Sequence, residues 1–248
     1  MIAIVAAVPE ETALLRRRLF PCEVRRCGHR DLYCGSMFGH KLTVLHTGIG
    51  KINAASAVTV MLEREKPEML ILTGCCGAYP GQGLATGDLL LATEEISADE
   101  GVLTPEGFRD FGSIGFTLLR SKGFECRSRC TVESRLRESA LPHLERFAVE
   151  GGLHLKSGPM VTVSTCSGTL QSGRELQQRT GGLGENMEGA AVAQVCEQYQ
   201  VPFLELRGVS NLVEDRDLSR WDLEGAAGGV QQALMALLRG WFSPILRA

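Results

Sequence analysis

Short apolar segments with strand character alternate with helix-like segments from the first residue onward, and this alternation limits the fold to the α/β class. Ile2–Val8 is an apolar run of strand length, and Glu10–Phe20 continues with helical spacing. Two further strand signals, Leu32–Phe38 and Lys41–His46, are separated by only two residues, which predicts a hairpin. Because the strands of a hairpin are antiparallel, we expect a mixed rather than an all-parallel sheet.

The remaining segments continue this alternation to the end of the chain. The further predicted helices are Lys51–Glu65, Glu133–Phe147, Thr169–Thr180, Asn186–Tyr199 and Leu223–Leu238, and the further strands are Met69–Thr73, Asp88–Glu95, Leu155–Ser164 and Pro202–Val209. Gly74–Gly87 is predicted to be a loop because it is rich in glycine, and Pro142 is expected to divide its helix. Gly158-Pro159 is expected to interrupt its strand. The sequence shows no linker, internal repeat or low-complexity tract.

Net charge and the length of the apolar runs exclude several classes of protein. The chain has 26 Lys and Arg against 29 Asp and Glu, a net charge of −3, so neither nucleic acid nor an anionic membrane is expected as a partner. No apolar run approaches the ~20 residues that span a bilayer, and no basic segment of a signal peptide precedes the first run. We therefore expect a cytoplasmic protein.

The cysteines and histidines show neither a disulfide pattern nor a metal-binding pattern. The nine cysteines are an odd number, no Cys-x-x-Cys occurs, and Cys75-Cys76 lie together in an apolar run. The five histidines are scattered, with no ligand pair one helical turn apart. Reduced thiols, no metal and no cofactor are therefore expected.

Acidic residues follow the first predicted strand, and ligands of open α/β sheets collect at strand ends of this kind. Glu10 and Glu11 occupy this place, where the dipole of the following helix favours negative charge. An exposed turn that only matches the dipole is the alternative. Thr47–Lys51 is similar to a phosphate loop, but Leu45 stands where the first glycine is needed, so a plain strand-to-helix turn is predicted.

Two later segments place a polar side chain at the end of a predicted element. Glu188 begins a helix of small residues, and one carboxylate can accept hydrogen bonds from both hydroxyls of a vicinal diol such as that of ribose. Asn211 follows a strand and offers an acceptor and two donors in one plane, which match a purine edge. A solvent-exposed helix start for Glu188 and ordinary turn chemistry for Asn211 are the alternatives.

Five segments, in this order and over nearly the whole chain, resemble the purine nucleoside phosphorylase and nucleosidase superfamily. They are Val8–Glu11, Thr47–Lys51, Thr73–Gly77, Met187–Ala193 and Arg207–Asn211. The resemblance implies a three-layer α/β/α fold with a central mixed β-sheet, the nucleoside phosphorylase fold. Because motifs from Glu11 to Asn211 must meet at one site, it also favours a single nucleosidase domain over residues 1–248.

Within this superfamily, three groups of segments are most similar to the futalosine hydrolases. They are Glu185–Ala191, then Arg207–Asn211 with Asp215–Asp217 and Trp221, and finally Asp99–Val102 with Thr104–Phe108. This resemblance implies hydrolysis of the N-glycosidic bond of futalosine, which releases hypoxanthine and dehypoxanthine futalosine in menaquinone biosynthesis. It also implies a homodimer or higher homo-oligomer whose partner is a small purine nucleoside substrate.

The resemblance further implies a role for each residue of the site. Glu11 would act as the general base that activates water, and Asn211 would stabilise the departing purine. Met187 and Glu188 would hold the ribose. Further substrate contacts are implied for Cys75, Thr165, Ser210 and Trp221, and Cys75 stands where the nucleosidases often have Ser.

The residue at position 211 separates the alternative functions. The methylthioadenosine/S-adenosylhomocysteine nucleosidases usually carry Asp there, and Asp can protonate N7 of adenine and accept a hydrogen bond from its 6-amino group. Asn can donate to a 6-oxo group and accept from a protonated N7, which favours hypoxanthine. Adenine release by such a nucleosidase, or by an aminodeoxyfutalosine nucleosidase, is the main alternative. A phosphorylase, which would need an arginine clamp, and a non-catalytic nucleoside-binding protein are the others.

Overall fold

The computed structural model describes residues 1–121, 124–126 and 128–241. Its strands are β1 (Ile2–Ala6), β2 (Glu23–Cys27), β3 (Arg30–Met37), β4 (His40–His46), β5 (Met69–Ala78), β6 (Leu89–Ser97), β7 (Gly101–Thr104), β8 (Gly107–Asp110), β9 (Leu119–Ser121), β10 (Phe124–Cys126), β11 (Arg129–Thr131), β12 (Leu155–Thr162), β13 (Gly184–Asn186) and β14 (Phe203–Leu212). Its α-helices are α1 (Ala13–Arg18), α2 (Lys51–Glu65), α3 (Ser134–Gly151), α4 (Leu170–Thr180), α5 (Gly189–Gln198) and α6 (Leu223–Gly240). Short 3₁₀ turns cover Pro9–Thr12 and Leu218–Arg220.

Ten of these strands form one sheet, in the order β11-β6-β12-β13-β5-β1-β4-β3-β2, with β14 paired to both β5 and β6. Strand β1 runs parallel to β4 and β5, whereas β3 runs antiparallel to β2 and β4. The predicted hairpin joins β3 to β4, so the expectation of a mixed sheet is confirmed. The pairings of β14 close β5, β14, β6, β12 and β13 into a ring. Helix α2 packs on α5 and α3 packs on α6, and both pairs of helices contact the sheet.

The two strands that carry most of the polar motifs are longer than predicted. Strand β5 continues five residues beyond Thr73, and β14 continues past Val209 to include Asn211. These extensions pair with each other, since Gly77 lies opposite Asn211. Hydrogen bonds between distant segments thus outweigh the weak strand preference of glycine. The predicted loop Gly74–Gly87 is therefore wrong over its first five residues.

Helix α3 is continuous through Pro142, so the predicted division of this helix is wrong. Pro142 lacks the N–H that would bond to the carbonyl of Glu138, but both residues are exposed, where water can satisfy that carbonyl. The opposite side of the helix is buried in the core through Leu136, Ala140, Leu144 and Ala148. Burial of this apolar side stabilises the helix across the proline.

The other departures are seven short strands that were not predicted, β2, β7–β11 and β13, and several shifted boundaries. The interruption expected at Gly158-Pro159 is confirmed, because the pairing of β12 with β6 shifts its register there. The helix predicted from Asn186 begins instead at Gly189, because the three residues of β13 pair with β12 and β5. A strand of three residues is too short to produce a recognisable pattern in the sequence.

The apolar N-terminal run forms β1, which is buried along its whole length in the main core. Within the described residues, no helix is both long enough and apolar enough to cross a membrane. One domain over residues 1–248 remains a prediction, and the end of that range, 242–248, lies outside the described residues. The homo-oligomer also remains a prediction.

Candidate active site

Several of the singled-out residues meet at one end of the central strands. Glu11 follows β1, Cys75 lies on β5, Asn211 lies on β14, and Glu188 directly precedes α5. Strands β1, β5 and β14 are parallel neighbours, so their carboxyl ends lie side by side. This edge is where open α/β sheets bind their ligands.

Glu11 is a buried carboxylate held by backbone N–H groups. Its Oε2 accepts hydrogen bonds from the N–H groups of Ala7 at 3.0 Å and Val8 at 3.2 Å, and its Oε1 accepts from that of Cys75 at 2.8 Å. Burial raises the pKa of Glu11 above its ordinary value, although the positive charge of Arg207 and the backbone hydrogen bonds act in the opposite direction. The group is therefore fixed in position and moved toward the pKa of an effective base.

Glu188 is also buried, with only 4% of its surface exposed, so the solvent-exposed alternative for this residue is wrong. Its Oε1 accepts a hydrogen bond from the N–H of Gly50 at 2.8 Å, and its Oε2 lies 3.5 Å from Nη1 of Arg207. Gly50 lies in the turn Thr47–Lys51, directly before α2, and this turn joins β4 to α2 as predicted. That turn therefore contributes to the site through its backbone, by holding a carboxylate.

Arg207 is the cation of this site, and sequence analysis gave it no role. Its Nε donates to Oε1 of Glu205 at 2.8 Å, and its Nη1 lies 3.3 Å from the carbonyl oxygen of Cys75. Burial alone lowers the pKa of the guanidinium, but Glu205, Glu188 and Glu11 together raise it above its ordinary value. The one available signal in the sequence is the alternation of Glu205 and Arg207 within an apolar strand, which directs both side chains to the same face.

Asn211 lies on a strand and not in a turn, so ordinary turn chemistry does not explain it. Its Oδ1 accepts a hydrogen bond from the Ser210 hydroxyl at 2.8 Å, and its Nδ2 donates to the carbonyl of Leu212 at 3.1 Å. The amide lies beside Gly77, where an added methyl group would be 3.2 Å from Nδ2. One N–H and one lone pair of the amide have no partner among these contacts.

Cys75 contributes its backbone more than its thiol. Its N–H binds Glu11, whereas its Sγ lies 3.6 Å from the carbonyl oxygen of Leu223. Burial and the charge of Glu11 raise the pKa of the Cys75 thiol to about 12. The thiol is therefore neutral near pH 7 and is not a nucleophile.

The remaining predicted contact residues differ in how close they lie to this centre. Met187 is half-buried next to Glu188. Trp221 is half-buried with Arg216 stacked 4.8 Å from its ring centre, and the following residue, Asp222, donates its N–H to the Ser210 carbonyl. Thr165 is exposed and lines a separate cavity of about 460 Å³. Met187 thus adjoins Glu188, and Trp221 precedes a residue that is bonded to Ser210, whereas Thr165 lines a cavity that shares no residue with the one beside Glu11.

A cavity of about 620 Å³ opens beside Glu11. Its walls are mainly apolar and include Val8, Leu14, Cys75 and Leu223. This volume suits a small organic ligand. In the part of the chain that the structure describes, no group of three or more His, Cys, Asp or Glu side chains could hold a metal ion.

Comparison with known proteins gives consistent matches over this architecture. The family model of the phosphorylase superfamily matches residues 1–240. The 5′-methylthioadenosine/S-adenosylhomocysteine nucleosidase of Staphylococcus epidermidis is 28% identical over 217 residues, which cover 87% of this chain and 88% of the relative. The nucleosidase of the same name from Bacillus cytotoxicus is 30% identical over 215 residues, which cover 85% of each.

A solved structure shows the same fold. The 5′-methylthioadenosine/S-adenosylhomocysteine nucleosidase of Neisseria meningitidis, in complex with methylthio-immucillin-A, superposes with a TM-score of 0.82 at 24% identity. The superposition covers 96% of this chain and 98% of that one, which confirms the expected α/β fold with a central mixed sheet. Since the matched residues 1–240 also contain every segment that builds the site, the chain belongs to the phosphorylase superfamily.

Proposed function

We propose that the protein is a purine nucleosidase, a hydrolase that cleaves the N-glycosidic bond of a purine nucleoside. The observation that carries this proposal is the placement of Glu11, a buried carboxylate that three backbone N–H groups hold beside a cavity. The two curated relatives described above are named as nucleosidases, which supports the same reaction class.

In this reaction Glu11 serves as the general base. Its carboxylate accepts a proton from a water molecule, whose oxygen forms the new bond to the anomeric carbon of the ribose. The bond from that carbon to the purine nitrogen breaks, and its electron pair leaves with the purine, which takes up a proton at N7 from solvent. The ribose develops positive, oxocarbenium-like charge, which the nearby negative charge of Glu188 stabilises.

Glu188 holds the ribose. One of its oxygens accepts from Gly50 and the other faces Arg207, and each carboxylate oxygen can still accept another hydrogen bond. The two ribose hydroxyls are donors, and their spacing matches that of the two oxygens of one carboxylate. Met187, adjacent and half-buried, provides apolar contact to the sugar.

The burial and the ion pairs of Arg207 favour hydrolysis over phosphorolysis. A phosphorylase needs a cation that is free to bind phosphate, but Arg207 is 1% exposed and bonded to Glu205. Arg17 also lines the cavity, but it does so together with three glutamates, Glu10, Glu11 and Glu224. Glu11 adds negative charge beside the cavity and Glu188 adds negative charge next to Arg207, so the site repels a phosphate dianion. A neutral water molecule carries no such penalty.

Gly74 leaves the space that Glu11 occupies. A methyl group at Gly74 would overlap the carboxyl group of Glu11 and lie 3.0 Å from Nη1 of Arg207, and the φ of Gly74 is +149°. We therefore expect Gly74→Ala to displace the Glu11 carboxylate and to lower kcat/KM by about 10²-fold, as measured by the steady-state release of the purine. Gly229→Ala is the matched control, because nothing lies within 4 Å of the added methyl group. Equal activity of the two variants would contradict the role of Gly74.

The identity of the purine rests on Asn211. Its amide retains one N–H and one lone pair, which match the 6-oxo group and protonated N7 of hypoxanthine. Cleavage of futalosine to hypoxanthine and dehypoxanthine futalosine is therefore the reaction that this side chain favours. The other candidate is adenine release from methylthioadenosine or S-adenosylhomocysteine. The names of the curated relatives fit this candidate better than they fit futalosine hydrolysis.

One assay distinguishes these candidates. The purified protein is incubated with futalosine, inosine and methylthioadenosine, with and without phosphate, and the released base is identified by chromatography. Hypoxanthine from futalosine, independent of phosphate, supports the futalosine reaction. Adenine from methylthioadenosine without hypoxanthine from futalosine would replace it with the second candidate, and phosphate dependence or no released base would reject a nucleosidase.

Asn211→Asp tests the recognition of the base directly. We expect the ratio of kcat/KM for the 6-oxopurine to that for the 6-aminopurine nucleoside to fall by about 10²-fold or more, because a buried mispaired group is costly. Asn211→Ala is the comparison variant, since it removes the amide without creating a pattern that fits adenine. An unchanged ratio in Asn211→Asp would show that another residue selects the base.

A further inference from the structure

Two glutamates lie side by side in the core next to the candidate site. Glu95 is on β6 and Glu205 is on β14, and neither side chain is exposed to solvent. Their two Oε1 atoms lie no more than about 5 Å apart, because both are within 3 Å of the place where a methyl group on Gly189 would stand. The Oε1 atoms of both converge on Gly189, where an added methyl group would collide with Glu95 and lie 2.9 Å from Glu205. Two buried carboxylates so placed repel each other unless a proton separates them.

The surroundings of the two carboxyl groups differ in charge. Oε1 of Glu205 accepts a hydrogen bond from Nε of Arg207 at 2.8 Å, whereas its Oε2 accepts none from the described residues. Glu95 accepts from two neutral groups, Nδ2 of Asn186 at 2.7 Å and the Thr162 hydroxyl at 2.6 Å. Burial and the adjacent Glu205 raise the pKa of Glu95 well above its ordinary value.

We propose that Glu95 and Glu205 share one proton, so that the pair carries a single negative charge, which Arg207 balances. The proton removes the repulsion between the two carboxylates and provides the donor for the hydrogen bond that joins them. Its resting place is Glu95, because Glu205 is the acid bonded to the guanidinium. Neither acid lines the cavity beside Glu11, so both are positioning residues.

The pair positions Glu188 through the start of α5. Oδ1 of Asn186 accepts hydrogen bonds from the N–H groups of Glu188 at 2.9 Å and Gly189 at 2.7 Å. The Thr162 hydroxyl accepts from the N–H of the next residue in the helix, at 2.7 Å. Because Asn186 and Thr162 both donate to Glu95, the protonated acid fixes the two groups that hold the beginning of this helix.

The pair also sets the charge that Glu11 experiences. The charged groups that act on Glu11 from within the core are Arg207 on β14 and Glu188 before α5, and the Cys75 thiol on β5 is neutral. Glu10, Arg17 and Glu224 line the same cavity and stay unchanged in every variant. A single negative charge on the acid pair compensates Arg207. Without that charge, Arg207 would lower the pKa of Glu11, and the acid limb of the pH profile would move to lower pH.

Two thiols also face the pair. They are Cys76 on β5, whose pKa is raised by burial, and Cys130 on β11, whose pKa is raised by its contact with Cys126. Both are neutral near pH 7, so they do not alter the charge of the pair.

The test uses Glu95→Gln, Glu205→Gln and the double variant, with Glu94→Gln as the control on the same strand. Infrared spectra at pH 7 report the carbonyl band of a protonated carboxyl group, and kcat/KM against pH reports the acid limb. We expect the band in the unaltered protein and in Glu94→Gln, and its loss in both single variants, because the remaining acid ionises to balance Arg207. The acid limb should stay in place in the single variants and move down by about one pH unit in the double variant.

Only the kinetic part of this proposal rests on the proposed function. The spectra test the shared proton independently of it. Absence of the band from the unaltered protein, or its persistence in both single variants, would overturn the shared proton even if the enzyme releases a purine. A single variant that moves the acid limb as far as the double variant would also overturn it. If no base is released at all, the proposed function fails and the spectra still decide the state of the pair. If the double variant does not fold, the single variants and their spectra remain decisive.

Discussion

Glu11→Gln is expected to lower kcat by about 10²–10⁴-fold while changing KM little, because the amide has the shape of the carboxylate but cannot take a proton from water. The amide nitrogen cannot accept the hydrogen bonds that the carboxylate accepts from backbone N–H groups, so we also expect a stability loss of about 1–3 kcal/mol. Single-turnover kinetics and denaturant unfolding measure the two effects separately.

Glu10→Gln is the matched control for this substitution. Glu10 is adjacent in sequence, exposed and on the wall of the same cavity, but its carboxylate takes no part in the contacts that hold Glu11. Its replacement should leave kcat within about twofold of the unaltered value, in keeping with ordinary surface substitutions. If both variants lost activity equally, or if neither did, Glu11 would not be the base.

Arg207→Met is expected to lower the free energy of unfolding by about 3–5 kcal/mol, because it leaves Glu205 and Glu188 buried without their cation. In a core without that cation, an ionised carboxylate is more costly than a protonated one. The deficit of the variant should therefore increase with pH, as denaturant unfolding between about pH 5 and 8 will measure.

The control for this prediction is Arg220→Met. Arg220 forms an ion pair with Glu214 at 2.7 Å, but its side chain is 60% exposed. Removal of this pair should cost no more than about 1 kcal/mol and should show a weaker dependence on pH. Losses of similar size in Arg207→Met and Arg220→Met would mean that the buried charge cluster contributes no more to stability than an exposed ion pair does.

Local patterns were sufficient to predict the residues that stand at element ends. Glu11, Glu188 and Asn211 could be singled out because each polar side chain interrupts an apolar or small-residue stretch. Helix α2 was predicted with its observed bounds, since a glycine turn precedes it and Pro67 follows it. The predictions that were wrong concern segments whose pairing partners lie far along the chain. Strand β5 extends through its glycines because another strand pairs with it there.

The buried acid pair and Arg207 could not be predicted from the sequence. Glu95 and Asn186 are 91 residues apart, and Glu95 and Thr162 are 67 apart, so no spacing rule connects them. Each residue alone has the appearance of an ordinary polar position. Only the closing of five strands into a ring brings them into contact. The prediction of hypoxanthine rather than adenine is limited for a different reason. It depends on the Asn211 amide alone, whereas the other motifs are common to both kinds of nucleosidase.

The donors that hold the two acids of the site belong to the main chain, at Ala7, Val8 and Cys75 for Glu11 and at Gly50 for Glu188. Every amino acid except proline supplies the same N–H group. The side chains at positions 8 and 75, which line the cavity, can therefore be redesigned to reshape it while the main-chain hydrogen bonds to Glu11 are retained. For the engineer, the path of the chain is the fixed framework of this site, and those side chains are its adjustable lining.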